Sequence, residues 1–308
     1  MHKRDQLRRF LAASGPLATT ESAAIGITPG QLRHRDVLSP FRGVVMGRAA
    51  ESVPELAAAY AKRMPRRQYF SHSTAALLHG IPLPAEQERA LVLHVSTSVA
   101  GGIPRCRGVV GHQGAWDRSP TERAGLRLSA AVHAWCELAS LLAVDDLVAA
   151  GDFLVTGDEP YSGLPPLATL EQLTAAVRAY GSRRYARRLR QALALVRYGS
   201  MSRMESLTRL AMQAAGLPEP NLNHPVFDEH GTQTALIDLA YPEFKVGIEY
   251  QGDGHRDRVQ YRNDTARRER LEDRGWTIVY VTADDLRFRL NETMDRIRTR
   301  LRQRGARF

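Results

Sequence analysis

Two acidic residues in the C-terminal third of the chain stand where a strand pair would bring them together. Asp238 lies in an alternating apolar and polar run, 235–240, and Glu249 lies in a second run, 244–251. A Pro-Glu pair between the runs indicates a turn. Because side chains alternate along a strand, a hairpin would bring both carboxylates to one strand end. Carboxylate oxygens are the ligands that Mg²⁺ prefers, so the pattern predicts a site for a hard divalent cation.

Residues just after Glu249 extend this candidate site. Gln251 falls on the same strand face, and the main-chain carbonyl of Tyr250 is a further oxygen donor. Gln251 carries no charge, so it would position a water molecule rather than deprotonate it. His255 follows a Gly-Asp-Gly break and is the candidate general base, because imidazole titrates near neutrality.

Glu205 has two interpretations that the sequence leaves open. A helix is predicted over 202–215, with Ser202 as its cap and Glu205 three residues later, which is the spacing of a capping box. The other interpretation is that Glu205 completes the metal site, and one residue can do both.

The order of these residues resembles the core of PD-(D/E)XK nucleases, in the branch near very-short-patch-repair endonucleases. The features that carry the resemblance are Asp238, Glu249-x-Gln251, the Gly-x-Gly-His that ends at His255, Asp264-x-x-Arg267, and Gly275-Trp276 before an apolar strand. The resemblance covers the chain from Ser202 onward. It implies a mixed sheet flanked by helices, Mg²⁺ (or Mn²⁺) as cofactor, and phosphodiester hydrolysis, with Arg267 orienting the active-site end of the sheet and contacting DNA. Gln251 stands where that family has lysine.

Residues 3–47 predict a winged helix-turn-helix that binds DNA. Thr28-Pro29 is a helix start, and the helix predicted over Pro29–Val37 would be the recognition helix. A strand containing Gly43 is predicted over 41–46. The candidate DNA contacts are Gln31, Arg33, His34 and Arg35. The alternative is a small packing domain whose third helix is only solvated.

This segment and the one after it resemble AbiEi-type antitoxins of abortive-infection loci. The N-terminal likeness rests on a T-x-x-x-A helix followed by F-R-G-V-V at 41–45, and the second on S-H-x-T-A-A-x-L-H-G at 71–80. Met46 stands where that family has an aromatic residue. The resemblance implies that the protein binds operator DNA and a cognate toxin protein.

The whole pattern predicts a multidomain α/β protein. The expected domains are a winged helix over 1–50, a mixed α+β linking domain with a helical segment over 51–200, and a restriction-endonuclease-like mixed sheet flanked by helices over 201–308. Within them, 126–155 is predicted to be helical, 156–166 to be a loop, and 276–281 to be a central strand.

Two further groups of residues have structural explanations. His72 and His79 lie seven apart on one face of the helix predicted over 71–80, but a metal site needs a third ligand that the sequence does not reveal. Structural histidines are therefore favoured. Asp145, Asp146 and Asp152 are better explained by capping and solvation than by catalysis.

The composition of the chain narrows the classes of partner that we expect. The chain of 308 residues has a formal net charge of +10, which favours a polyanionic partner such as nucleic acid. Its 2 cysteines have no zinc spacing and fit a reducing cytoplasm. No apolar run reaches the length of a membrane helix, and no signal-type segment is recognised at the N-terminus. We expect a cytoplasmic protein with no membrane partner and no organic cofactor.

Three functions remain open at this point. The first is a DNA endonuclease targeted by the winged helix. The second is an antitoxin or transcriptional repressor whose nuclease fold has lost cleavage. The third is an interaction protein whose nuclease fold only binds nucleic acid. An acid pair in register with a histidine favours the first over the third.

Overall fold

A computed structural model describes residue 13 and residues 15–34, 37–98, 101–114, 120–252 and 267–308. Of the predicted site residues, Arg35 and His255 lie outside the described residues, as does Asp264 of the nuclease-like motif. The chain divides into two compact units, Met1–Leu142 and Ala143–Phe308. The domain boundaries predicted at 50 and 200 lie inside these units and stay predictions.

The first unit begins with a small antiparallel sheet. Its strands are β1 (Leu17–Ala18), β2 (Leu38–Phe41) and β3 (Val44–Met46), in the order β1-β3-β2. The single strand predicted over 41–46 is wrong, because Gly43 adopts a φ of 81° and turns the chain between β2 and β3. Glycine takes this conformation without the steric cost that a Cβ atom brings.

The helix predicted over Pro29–Val37 is shorter than expected. In the structure α1 spans Pro29–Leu32 and is capped by Thr28, whose hydroxyl accepts the N–H of Gln31 at 3.3 Å. Leu32 and Val37 both pack against the same small cluster. A separation of five residues does not bring two side chains to one helix face, so the chain leaves the helix between them.

The rest of the first unit combines helices with a five-stranded sheet. The helices are α2 (Val53–Ala61), α3 (His72–His79), α4 (Ala85–Arg89) and α5 (Ala131–Leu138). The strands are β4 (Gln68–Phe70), β5 (Leu93–Thr97), β6 (Val109–Gln113), β7 (Thr121–Arg123) and β8 (Leu126–Leu128). The sheet has the order β6-β5-β4-β8-β7, with β5–β6 and β4–β8 parallel. The start of the helical segment predicted over 126–155 is therefore strand β8.

Aromatic side chains form the centre of this unit's core. Tyr60 packs edge-on against Phe41, at a centroid distance of 5.1 Å, and against Phe70, at 6.2 Å. Phe70 and the nearby Trp135 are completely buried. Edge-to-face pairs of this kind add to the free energy gained from apolar burial.

The second unit places helices against a four-stranded sheet. The helices before the sheet are α6 (Val144–Thr156), α7 (Glu159–Ser162), α8 (Leu170–Tyr180), α9 (Ala186–Leu195) and α10 (Arg203–Ala214). The strands are β9 (Asn221–Phe227), β10 (Gln233–Tyr241), β11 (Val246–Gln251) and β12 (Thr277–Thr282). Helix α11, of which 267–273 is described, precedes β12, and α12 (Ala283–Phe288) and α13 (Leu290–Gln303) follow it. Helix α7 interrupts the loop predicted over 156–166.

The sheet order is β12-β11-β10-β9, with β11–β12 parallel and the other pairs antiparallel. Strand β12 was expected in the centre, but it lies on the edge of the sheet formed by the described residues. Apolar side chains cover both faces. One cluster joins the sheet to α10 and α13, and another joins it to Leu271 and Trp276. Within the described ranges, no helix is long and apolar enough to span a bilayer.

Candidate active site

The hairpin of β10 and β11 brings Asp238 and Glu249 to the same place, as the sequence predicts. Main-chain pairing runs from Tyr241–Val246 to Leu239–Ile248. Just beyond the last pair, the Oδ2 atom of Asp238 accepts the N–H of Tyr250 at 2.9 Å. The Asp238 carboxylate therefore accepts an N–H that a main-chain carbonyl of β10 would accept if the two strands continued to pair. The site lies where the two strands part.

Glu205 enters from the first turn of α10. Ser202 caps this helix, and its hydroxyl accepts the Glu205 N–H at 3.2 Å. The Glu205 carboxylate accepts the N–H of Met201 at 2.9 Å and interacts with the side chain of Asn223. Glu205 also lies close enough to Asp238 for its charge to act on that carboxyl. It therefore has a capping role and a place in the acidic cluster.

Two of the three acids are buried, and Asp238 is half-buried. Glu249 is 5% exposed and Glu205 is 9% exposed. Burial and then the charges of Glu205 and Glu249 raise the pKa of Asp238 to about 7, against the opposing effects of the Tyr250 N–H and Arg267. Burial also raises the pKa of Glu205. Like charges that share a buried site disfavour one another's ionisation, and a bound cation would remove that cost.

Arg267, on α11, holds Glu249. Its Nη1 atom donates to Oε2 of Glu249 at 2.9 Å, and its Nη2 atom lies 2.9 Å from Oε1. The same guanidinium donates to the main-chain carbonyl of Leu236. Arg267 was predicted to orient this end of the sheet and to contact DNA. Its position against Glu249 means that a cation must compete with a guanidinium for that carboxylate.

Tyr250 and Gln251 are the last residues of β11. Pairing with Val281 and Thr282 of β12 fixes their main chain, and both are half-buried. They therefore follow Glu249 along a well-supported strand, as expected. His255, the predicted base, lies outside the described residues.

Sequence reasoning missed two residues of this site. Asn223, on β9, interacts with the Glu205 carboxylate, and Tyr280, on β12, is the register partner of Glu249. Burial raises the pKa of Tyr280, and the charge of Glu249 raises it further. Neither residue belongs to a local motif. Only the strand order of the folded sheet brings them to the acids.

The donor set suits a hard cation. It consists of three carboxylates, with the main-chain carbonyl of Tyr250 on the adjoining strand, and it includes no sulfur ligand. Oxygen donors of this type fit Mg²⁺ and Mn²⁺. We find the fit chemically consistent, with Arg267 as the competitor.

The predicted DNA contacts of the first unit have different surroundings. The side-chain oxygen of Gln31 accepts the N–H of Thr28 at 2.8 Å, so this residue has a capping role. Arg33 is exposed just after α1, and His34 is half-buried. Of the candidates that the structure describes, Arg33 is the one whose position best suits a phosphate.

Comparison with known proteins gives limited information. No family model matches the chain. Two proteins of Mycobacterium tuberculosis, "Uncharacterized protein MT2308" of strain CDC 1551 and "Uncharacterized protein Rv2248" of strain H37Rv, are each 37% identical over 87 residues. The match covers 28% of this chain and 32% of each relative, so the chain spans about a third of their length. No solved structure matches.

Proposed function

We propose that this protein binds DNA and that its second unit hydrolyses DNA phosphodiesters with Mg²⁺ or Mn²⁺. The observation that carries the proposal is the convergence of Glu205, Asp238 and Glu249 where β10 and β11 part. One acid comes from a helix and two come from adjacent strands, so the whole sheet end is required to bring them together. The net charge of +10 supports a polyanionic substrate.

Each residue has a role in this mechanism. Asp238 and Glu249 would hold the cation together with the Tyr250 carbonyl, and Glu205 would be the further acidic ligand. When bound, the cation polarises the phosphate and lowers the pKa of a water molecule. Gln251 can orient that water by a hydrogen bond but cannot take its proton. Arg267, which pairs with Glu249 in the structure, would be the residue to contact a phosphate oxygen if Glu249 held a cation instead.

A nicking assay on supercoiled DNA tests the proposal. Wild-type protein should nick DNA with Mg²⁺ or Mn²⁺ and should be inactive in EDTA, while Asp238→Asn and Glu249→Gln should be inactive in both. Glu243→Gln is the matched control, because Glu243 is an exposed acid in the turn of the same hairpin. Metal-dependent nicking by Asp238→Asn at the wild-type rate would refute the assignment of the site.

A second function is favoured by two observations at the same site. Gln251 replaces the lysine expected from the nuclease resemblance, and Arg267 already neutralises Glu249. These features suit a DNA-binding antitoxin or repressor whose nuclease fold does not cleave. Gln251→Lys separates the two functions, because an active variant site should keep or gain nicking, whereas a degenerate site should remain inactive.

DNA binding itself is tested in the first unit. Exposed Arg33 and its neighbour Arg35 follow α1, so Arg33→Ala combined with Arg35→Ala should weaken duplex binding. Loss of two phosphate contacts should reduce the slope of log K against log salt by about 1.8. Unchanged affinity and unchanged slope would exclude this segment as the DNA contact.

A further inference from the structure

We propose that His72, His94 and His112 form a binding site for a divalent transition-metal ion, with Zn²⁺ as the best-suited ion. Each histidine offers one ring nitrogen, and these nitrogens all lie within 4.8 Å of one another. All three residues belong to the first unit, far along the sequence from the acidic cluster. The site therefore has different ligands and a different preferred metal from the proposed active site.

Three separate elements position the histidines. His72 is the first residue of α3, and His94 and His112 lie on the parallel neighbours β5 and β6. In the register of these strands His94 pairs with Val110 and His112 pairs with Ser96, so the two histidines stand two residues apart on one face. The helix start closes over that face.

The main chain of the site is held firmly. The His72 N–H donates to the Glu137 carboxylate at 2.9 Å, and the His94 N–H donates to the Thr74 hydroxyl at 2.8 Å. His72 has a φ of 51°, which a residue with a Cβ atom rarely adopts. Such strain persists only where surrounding contacts impose it, and it is concentrated at ligand sites.

The rings are close enough for shared coordination. Nδ1 of His94 lies 2.9 Å from Nε2 of His112, and the rings of His72 and His112 stack at a centroid distance of 3.7 Å. Zinc–nitrogen bonds of about 2.0–2.1 Å place tetrahedral ligand nitrogens roughly 3.3 Å apart. The three nitrogens lie within 4.8 Å of one another, so the widest pair would have to close by up to roughly 1.5 Å, with rotation of the stacked His72 and His112 rings, to reach coordination distance.

The environment keeps the imidazoles in the form that binds metals. Burial, together with the charges of the neighbouring rings, lowers the pKa of His72 to about 2 and that of His94 to about 4. Burial also lowers the pKa of His112. At neutral pH all three rings are neutral and have a lone pair for a metal, and neutral imidazole is a preferred ligand of zinc.

Glu137 supplies the negative charge that such an ion favours nearby. One of its oxygens lies 4.0 Å from Nδ1 of His72, and its carboxylate also accepts the Ser129 hydroxyl at 2.9 Å. A carboxylate at this distance offsets the charge of the ion, while the Ser71 hydroxyl, 3.0 Å from Nδ1 of His72, is the group that orients this ring. Three nitrogen ligands leave a fourth position for water.

The sequence favoured structural roles for His72 and His79 and revealed no third ligand. His79 lies seven residues along α3, but its Nε2 atom contacts the carbonyl of Ser129 at 2.8 Å. It takes no part in the cluster. The two partners of His72 come instead from strands whose pairing no local pattern reveals.

Metal binding by the untagged full chain tests this site. Zn²⁺ titrated into metal-free protein in a calorimeter should bind with a stoichiometry of one per chain at this site, and it should raise the melting temperature. His112→Gln should reduce the affinity at least tenfold. His230→Ala is the control for exposed histidines, and Glu243→Gln is the control for exposed acids. Both controls should bind Zn²⁺ as the wild type does. Equal affinity in His112→Gln and wild type would overturn the proposal.

A second measurement does not depend on the folding of any variant. Co²⁺ in a tetrahedral site with nitrogen ligands absorbs strongly in the visible region, whereas octahedral Co²⁺ with oxygen ligands absorbs weakly. Wild-type protein loaded with Co²⁺ should show the intense bands, and added Zn²⁺ should abolish these bands by displacing Co²⁺ from the site. A weak octahedral spectrum would overturn the assignment and leave the histidines as a hydrogen-bonded packing cluster.

Discussion

Two groups of buried acids lie in the second unit, and they differ in how their charge is balanced. Asp152, on α6, is completely buried and faces Arg209, which is 1% exposed. Nη2 of Arg209 lies 2.9 Å from Oδ2 of Asp152, Ser206 donates to the same oxygen at 2.8 Å, and the Arg197 N–H donates to Oδ1 at 2.7 Å. One buried acid meets one buried base, the exposed Glu219 carboxylate lies 3.9 Å from the same guanidinium, and both Asp152 oxygens have hydrogen-bond donors.

The acidic cluster of Glu205, Asp238 and Glu249 is balanced differently. Three carboxyls face one guanidinium, that of Arg267, whose side chain is 31% exposed. A buried ion pair stabilises one arrangement of the chain, but only as long as both partners are present. A cluster of acids with surplus negative charge can instead be neutralised by binding a cation. The contrast separates a structural ion pair from a candidate binding site.

The largest expected effect is on the structural pair. Arg209→Met should lower the free energy of unfolding by about 3–5 kcal/mol, because it leaves Asp152 buried without its partner. Arg267→Met is the comparison: it also leaves a buried acid, Glu249, without its guanidinium, but it should cost less because the Arg267 side chain is 31% exposed and water can replace part of its contacts. Urea denaturation followed by circular dichroism measures both. Equal losses in the two variants would remove the distinction between the sites.

Removing a charge from the acidic cluster should raise the free energy of unfolding, whereas removing a charge from the structural pair lowers it. The pKa of Asp238 is about 7 in the folded protein, against an ordinary value of 3.8. Between these values the folded state binds more protons, so metal-free stability should fall as the pH rises towards about 7 and stay low above it. Asp238→Asn removes this loss and should stabilise the metal-free protein at about pH 8 by up to about 4 kcal/mol.

Asp152→Asn provides the counterpart to that measurement. It should destabilise the protein at the same pH, because the change leaves the buried Arg209 without its ion partner. Urea titrations of both variants at a series of pH values check the signs. A metal-free Asp238→Asn protein less stable than wild type at about pH 8 would contradict the surplus charge assigned to the cluster.

A smaller effect concerns the competition between Arg267 and the cation. Arg267→Ala should bind Mg²⁺ about tenfold more tightly than wild type, since Glu249 no longer has to exchange a guanidinium for the metal. The dependence of the melting temperature on Mg²⁺ concentration gives this affinity by mass action. If the Mg²⁺ concentration at the midpoint of the rise in melting temperature is the same in both proteins, Arg267 and the metal do not compete for Glu249.

The sequence predicted the parts of these sites that depend on local order. The hairpin of Asp238 and Glu249, the start of α10 after Ser202, and the end of α3 at Gly80 are present, because alternation and capping involve neighbouring residues. The predicted length of α1 was wrong. Val37 packs in the same small cluster as Leu32, and a continuous helix would place these two side chains on different faces.

Long-range pairing accounts for what the sequence did not predict. Asp152 was interpreted as a capping or solvated acid, which is wrong, because its partner Arg209 lies 57 residues further along the chain. Likewise, the pairing of β5 with β6 places His94 and His112 together, and the sheet order places Tyr280 beside Glu249. Residue spacing carries no signal for contacts that only the tertiary fold creates.

The smallest expected effect separates the two sites within one helix. Ser202 and Ser206 lie one turn apart at the start of α10, and the first holds the Glu205 N–H while the second donates to Asp152. Ser202→Ala should cost about 1 kcal/mol through the lost cap. Ser206→Ala should cost roughly 1–2 kcal/mol, because the buried carboxylate loses a donor.

The two serine variants should differ in their response to metal. Ser202→Ala loosens the turn that presents Glu205, so the rise in melting temperature with Mg²⁺ should shrink. Ser206→Ala leaves that turn intact and should keep the full rise, although its starting stability is equal or lower. Thermal melts of both variants over a Mg²⁺ series check this. A loss of the metal response in Ser206→Ala alone would mean that the cation depends on Asp152, and that the charge balance of the two groups does not distinguish structure from function.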